Sequence, residues 1–241
     1  EQYGERLMGT LTLDNATPSF RTELVYMLGN RVDTGLTDAR LDRWINMAYS
    51  HLTHPTVHRF HELQHESSIT LATDDNEYGI DSTTLGYEIN GVTGVYYLDS
   101  TSVSNTARKR KLSPRSIEWF DQRTLTSGEP SVYAVYGANL YISPVPTSTE
   151  NSNLLRLRTW RKPADLSAIT DVTVIPSVWD QVILMGARYM AELDLGYREL
   201  AEMSKQNYAQ LINEFDSAFK FESEDWQQEV QIVGEAYNQG Y

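Results

Sequence analysis

All five histidines of this 241-residue chain fall in one stretch, HLTHPTVHRFHELQH, at residues 51, 54, 58, 61 and 65. On an unbroken α-helix, gaps of three and four would line the imidazoles along one face, the pattern of a metal site or proton relay. Pro55 interrupts any such helix, because its ring would collide with the carbonyl of His51 and it disfavours helical geometry at His54. Beyond it, Leu63, His65, Ser67, Ile69 and Leu71 alternate with Glu62, Gln64, Glu66, Ser68 and Thr70, which is a strand period. In a strand His61 and His65 would share a face but stand ~13 Å apart, too far to share one zinc with bonds of ~2 Å. His51 and His54, one helical turn apart, are the surviving pair, and a helix end and loop rich in polar aromatics is the expected outcome.

Other reactive groups are equally sparse. No Gly-rich dinucleotide or phosphate loop, no Gly-x-Ser-x-Gly and no His-Glu-x-x-His occurs in the sequence. Asp74, Asp75 and Glu77 read as a solvated turn rather than a calcium site, and Glu118 with Asp121 as helix neighbours. The chain has no cysteine, which removes disulfides, thiolate metal sites and a Cys nucleophile together. It is therefore read as no enzyme, with no cofactor and no metal.

One charged cluster stands out. Arg108, Lys109, Arg110 and Lys111, extended by Arg115, form a dense basic run in a chain of net charge −13 and pI about 4.8. So acidic a chain repels nucleic acid, so an acidic protein partner ranks above phosphate as the target of these five residues. Fifteen tyrosines and five tryptophans add weak support for an interface protein.

The elements that must position these residues follow from periodicity. Residues 1–17 read as an arm. PSFRTELVYMLGNR is a short helix with Phe20, Leu24, Met27 and Leu28 at helical spacing, opened by Pro18 and Ser19 and closed by Gly29 and Asn30. TDARLDRWINMAYSHL is a second, capped by Thr37 or Asp38, with Leu41, Trp44, Ile45, Ala48 and Leu52 on one face.

From there to about residue 165 the signals are β, with a Tyr-rich hairpin at VYAVYGANLYI and one short helix at SPRSIEWFDQRTL, capped by Ser113 with Pro114 in its first turn. After Pro176 a helical stripe of Trp179, Val182, Ile183, Gly186, Tyr189, Met190 and Leu193 continues as Leu200, Met203 or Ser204, Tyr208, Leu211, Phe215 and Phe219. A break near Gly196 is expected, since one helix over 177–220 would be ~65 Å long.

The resulting expectation is an α+β fold: a four-helix bundle formed by N- and C-terminal helix pairs (18–55 and 176–221) with an inserted antiparallel β module (56–175). Residues 222–241 form an acidic tail, in which Trp226, Val230, Ile232, Val233, Tyr237 and Tyr241 are candidate anchors on a partner chain. No apolar run reaches membrane-spanning length, and EQYGERLMGT lacks the pattern of a signal peptide.

The order of segments resembles the head-to-tail connector adaptors of tailed bacteriophages. The likeness opens at RLDRWINMAYSHL and strengthens at SITLATDDNEYGID. It is clearest at EPSVYAVYGANLYISPVPTSTENSNLLRLRTWRKPADLS, and VIPSVWDQVILMGARYMAELDLGYRELAEMSKQNYAQLINEF resembles the closing helix pair. The resemblance spans about residues 18–220 and carries no family role for the histidines or the basic run.

It implies a structural virion protein of the neck, assembled in the host bacterial cytoplasm. Such an adaptor forms a ring, typically of twelve copies, under the portal protein. The ring extends the DNA channel without specific DNA binding and receives the next tail or neck protein. The alternative is a carbohydrate- or receptor-binding tail or fibre module, suggested by the aromatic β segment.

Overall fold

A computed structural model describes residues 11–14, 18–29, 36–101 and 108–220. Two compact units emerge: Glu1–Leu52 with Asp165–Tyr241, and Thr53–Ala164.

In the first unit, α1 (Phe20–Met27) is opened by Ser19. Its hydroxyl accepts from the Thr22 amide, while Thr22 Oγ1 accepts from the Ser19 amide, a reciprocal cap. Helix α2 (Asp38–Leu52) buries Leu41, Trp44, Ile45, Ala48, Tyr49 and Leu52. Helix α5 (Asp180–Asp194) and helix α6 (Arg198–Lys220) are separated by Gly196 at φ +85°, the left-handed geometry glycine adopts without a Cβ clash. The rings of Trp179 and Phe215 lie 5.1 Å apart, and Ser204 Oγ donates to Glu192 (2.6 Å); these pairings make the two helices antiparallel. Segment 11–14 is stitched to 169–173, with the Leu13 amide on the Asp171 carbonyl and Asp14 on Ile169, both at 2.9 Å. Asn46 holds Leu166 through both backbone groups, at 2.8 and 2.9 Å.

The second unit carries two four-stranded sheets. Strands β1 (Gln64–Thr70), β8 (Leu154–Arg161), β3 (Ile89–Leu98) and β4 (Lys109–Lys111) lie in that order, all antiparallel. The other sheet orders β2 (Glu77–Gly79), β7 (Asn139–Ser143), β6 (Val132–Tyr136) and β5 (Ser113–Pro114). Hairpin β6–β7 turns on Gly137 at φ +61° and Ala138. The inner faces share one core, in which Val95, Tyr97, Leu155 and Leu157 of the first sheet meet Tyr78, Tyr133, Leu140 and Ile142 of the second. Two short helices, α3 (Ser82–Leu85) and α4 (Ile117–Asp121), connect the strands.

The α+β class holds, but the expected four-helix bundle with one inserted antiparallel module does not. Helix α5 is the common packing partner of α1, α2 and α6, rather than one member of two equal pairs. The reason is its small residues: a Cβ on Gly186 would stand 3.1 Å from Ala48 and 3.0 Å from Tyr208, so neighbouring helices close in on α5 from both sides. The β region is two sheets, and β5 runs parallel to β6.

Smaller corrections follow from burial. Ser113 and Pro114 are strand, not helix start; the helix begins at Ile117, after Ser116. Leu193 and Leu200, expected on the apolar stripe, are exposed; of the alternatives Met203 and Ser204, Met203 is exposed and Ser204 is buried, hydrogen-bonded to buried Glu192.

Candidate functional site

The basic run sits where the chain passes from one sheet to the other. Strand β4 is the edge of the first sheet and β5 the edge of the second, with buried Leu112 between them donating its amide to Val95 (2.9 Å). Strand alternation then sorts the cations. Arg110 stands opposite Tyr97, whose ring is in the core, and turns inward: its guanidinium pairs with the Glu129 carboxylate (3.2 Å) and donates to the backbone carbonyls of Glu129 (3.3 Å) and Pro130. Lys109 and Lys111 take the opposite, outer face and are exposed, as are Arg108 and Arg115. The five residues named from sequence are therefore not one patch. Arg110, half-buried, is engaged by Glu129 and Pro130 of its own unit.

The outer face of the first sheet gains two cations that the sequence reading passed over. In register, Ser68, Arg156, Tyr96 and Lys111 stand side by side across the four strands, so all four share that face. One step along, Arg158 donates to Glu66 (2.7 Å) and its guanidinium lies 5.0 Å from the centre of the Tyr96 ring. The hydrogen bond to Glu66 raises the Arg158 pKa further, holding the guanidinium firmly protonated. Tyr96 reaches Arg158 by lying over Gly94, where a Cβ would stand 3.2 Å from the ring. Arg158 thus lies over Tyr96, Arg156 and Lys111 flank it in register and Lys109 stands one pair further along, opposite Leu98; Glu66 is the carboxylate that bridges Arg158 and, at 3.6 Å, Arg156. The alternation Leu-Arg-Leu-Arg in NLLRLRTWR was the available signal for Arg156 and Arg158.

Among the described residues the edge is open in its backbone as well. The Arg108 carbonyl accepts from Asp99 and the Leu112 amide donates to Val95, so the ladder's alternation assigns the backbone bonds to β3 to residues 108, 110 and 112. Lys109 and Lys111, the intervening residues, aim their amides and carbonyls away from β3, toward the outer edge of the sheet.

The histidines are dispersed. His51, near the end of α2, pairs its Nδ1 with the Tyr208 hydroxyl (3.0 Å), a phenol that burial pushes well above its usual range and so keeps neutral. His54 Nδ1 bonds Thr56 (2.7 Å), His58 stacks edge-on against Phe60, and His65 against Tyr87. His61 lies exposed in a 3₁₀ turn. Among the described residues no three His, Asp or Glu side chains come together in a way that would hold a metal ion. Trp226, Val230, Ile232, Val233, Tyr237 and Tyr241 lie outside the described residues.

Charge divides between the units as unevenly as the folds do. Thr53–Ala164 carries eleven Lys and Arg against twelve Asp and Glu, so −12 of the net −13 falls on the rest of the chain. No helix of the described residues is long and apolar enough to cross a membrane.

These features define a class: a two-unit α+β protein in which an acidic helical unit accompanies a β-sandwich with a basic, tyrosine-centred outer face. The chain belongs to the SU10 adaptor protein family, whose model matches residues 16–232. That match is consistent with a phage head-to-tail adaptor, the group that the segment order resembles. No curated protein matches the chain.

Proposed function

We propose that this protein is a structural component of the virion neck, an adaptor that forms a ring under the portal protein, extends the DNA channel and offers an attachment surface to the next tail or neck protein. It assembles in the host cytoplasm, in about twelve copies if it follows the adaptors it resembles. It performs no catalysis. The family match over residues 16–232 carries the reading.

Physics supports the form of it. A ring of identical subunits is built from heterologous contacts, in which two different surfaces of each copy meet. Here the charge asymmetry between an acidic helical unit and a basic sheet face supplies two unlike surfaces. The exposed Leu193, Leu200 and Met203 around the α5–α6 turn add an apolar one. The acidic balance of the whole chain lets DNA pass without the counterion-releasing contacts that would hold it. Lys109, Lys111 and their neighbours Arg108 and Arg115 meet an acidic protein surface. The aromatic and aliphatic residues of the C-terminal tail contact the portal or a neighbouring copy.

Negative-stain imaging and sedimentation of the protein with its purified portal test this. Rings, alone or on the portal, are the expected result. A monomer that ignores the portal and binds glycans would replace the reading with a receptor-binding module, and turnover of generic hydrolase substrates would remove the claim of no catalysis.

A further inference from the structure

The sheet edge at β4 has two properties that together describe its occupant. Its backbone groups at Lys109 and Lys111, which face away from β3 and have no partner among the described residues, ask for an extended segment, as in strand addition. Its side chains ask for acidic residues on the outer face, because the outward residues of β4 beside an added strand are Lys109 and Lys111, while the Glu66-paired Arg156 and Arg158 lie two strands further in and keep that face basic. Three residues of β4 leave room for only a short strand.

The chain itself contains such a segment. Residues 221–241 carry Glu222, Glu224, Asp225, Glu229 and Glu235 and no Lys or Arg. Within them, Glu229-Val230-Gln231-Ile232-Val233 has strand period: Glu229 and Gln231 fall on one side, Val230 and Ile232 on the other. Placed beside β4 with Glu229 facing the lysines, the alternation turns Val230 and Ile232 to the side of Val95 and Tyr97, where the two sheets share their core. One register satisfies charge, apolar burial and backbone pairing at once.

We propose that the C-terminal segment of a second copy adds as a strand along the Lys109–Lys111 edge, with its carboxylates on the basic outer face of the sheet. The proposal rests on the connector reading for its choice of a second copy, because a tail passed to the next subunit is a head-to-tail contact of the kind that closes rings. It also assigns the acidic partner of the basic residues to the protein's own sequence.

The absence of cysteine makes the test direct. Opposite residues of paired strands lie ~5.5 Å or less apart, within disulfide range. Full-length Lys111→Cys is mixed under mild oxidation with full-length Gln231→Cys, with and without purified portal. Thr83→Cys, exposed beside β2 at the far edge of the second sheet, replaces Lys111→Cys as the control.

The expected result is a mixed disulfide between two chains at least tenfold above the control. Adding Lys109→Glu to the first partner should suppress it severalfold, and Glu229→Lys in the second should restore it. No excess over the control in either condition overturns the proposal. So does a disulfide that forms only within one chain of a Lys111→Cys/Gln231→Cys double variant, or loss of the crosslink when duplex DNA is added, which would assign the lysines to phosphate. The crosslink is scored separately from portal binding, so a protein that crosslinks but ignores the portal sinks the connector reading alone.

Discussion

At Asp180 two hydrogen-bond donors and a dry setting pull against each other. The Leu11 amide donates to one carboxylate oxygen (3.0 Å) and Thr173 to the other (3.1 Å), which favours the charged form, yet burial dominates and pushes the carboxyl up from 3.8 to about 6. A carboxyl raised on folding contributes stability that is fully present below about pH 4 and lost as pH rises through about 6. Two units correspond to about 3 kcal/mol. Urea unfolding should therefore show wild type losing about that much relative to Asp180→Asn between pH 4 and pH 7; parallel profiles would show that the carboxyl does not titrate there. The same scale holds the clearest lesson about the site. The basic run was visible in the sequence, but its division was decided by pleat alternation, which sends Arg110 to Glu129 and leaves Lys109 and Lys111 outside. Arg156 and Arg158 join them only because β8 lies between β1 and β3, a pairing no local pattern announces.

Between elements, two contacts govern the helical unit. Arg21 of α1 grips Asp42 of α2 with two hydrogen bonds of 2.7 and 2.6 Å and also reaches Asp14 (2.9 Å) and Asp38 (3.1 Å). Its side chain is only 12% exposed while Asp38 remains mostly in water, so losing the cation should cost about 2 kcal/mol, less than the ~3–5 of a fully buried broken pair. Arg21→Met is expected to lower the urea midpoint accordingly. Arg21→Lys should recover little of it, because an ammonium cannot reproduce the fork. Gly186 is the second contact. Alanine there gains up to ~1 kcal/mol of helix propensity but meets Ala48 and Tyr208 at 3.1 and 3.0 Å, an overpacking worth ~1–3 kcal/mol. Gly186→Ala should thus be destabilising, and a raised melting temperature would mean that Tyr208 simply moves aside. Most elements were legible because each rests on local rules: Ser19 as a cap, the α2 stripe, the two-residue turn at Gly137, the break at Gly196. The two-residue strand at Ser113 was not, since a Ser-Pro pair ahead of a helical stretch reads as a cap until a parallel neighbour is seen.

For the whole molecule, the proposed role places the C-terminal tail outside the folding unit. Deletion of 222–241 should leave the unfolding transition of the monomer unchanged and abolish docking, as read by portal co-sedimentation. A truncated protein that unfolds, or one that still binds the portal, would each count against it. The charge-altered variants of the sheet edge carry the complementary expectation: Lys109 and Lys111 are exposed, so their replacement should shift stability by no more than about 0.5 kcal/mol while changing assembly.

Local chemistry in the sequence determined the α+β class, the positions of most helices and strands, the severing of the histidine stripe at Pro55 and the likeness to connector adaptors, because each depends on neighbours within a few residues or on the order of segments. Tertiary structure alone decided that α5 is the hub of the helices, that the β region is two sheets sharing a core, and that cations from two distant strands, Lys111 of β4 with Arg156 and Arg158 of β8, gather at Tyr96. Those outcomes depend on which surfaces bury each other at long sequence separation, and periodicity specifies a buried face without naming what will cover it.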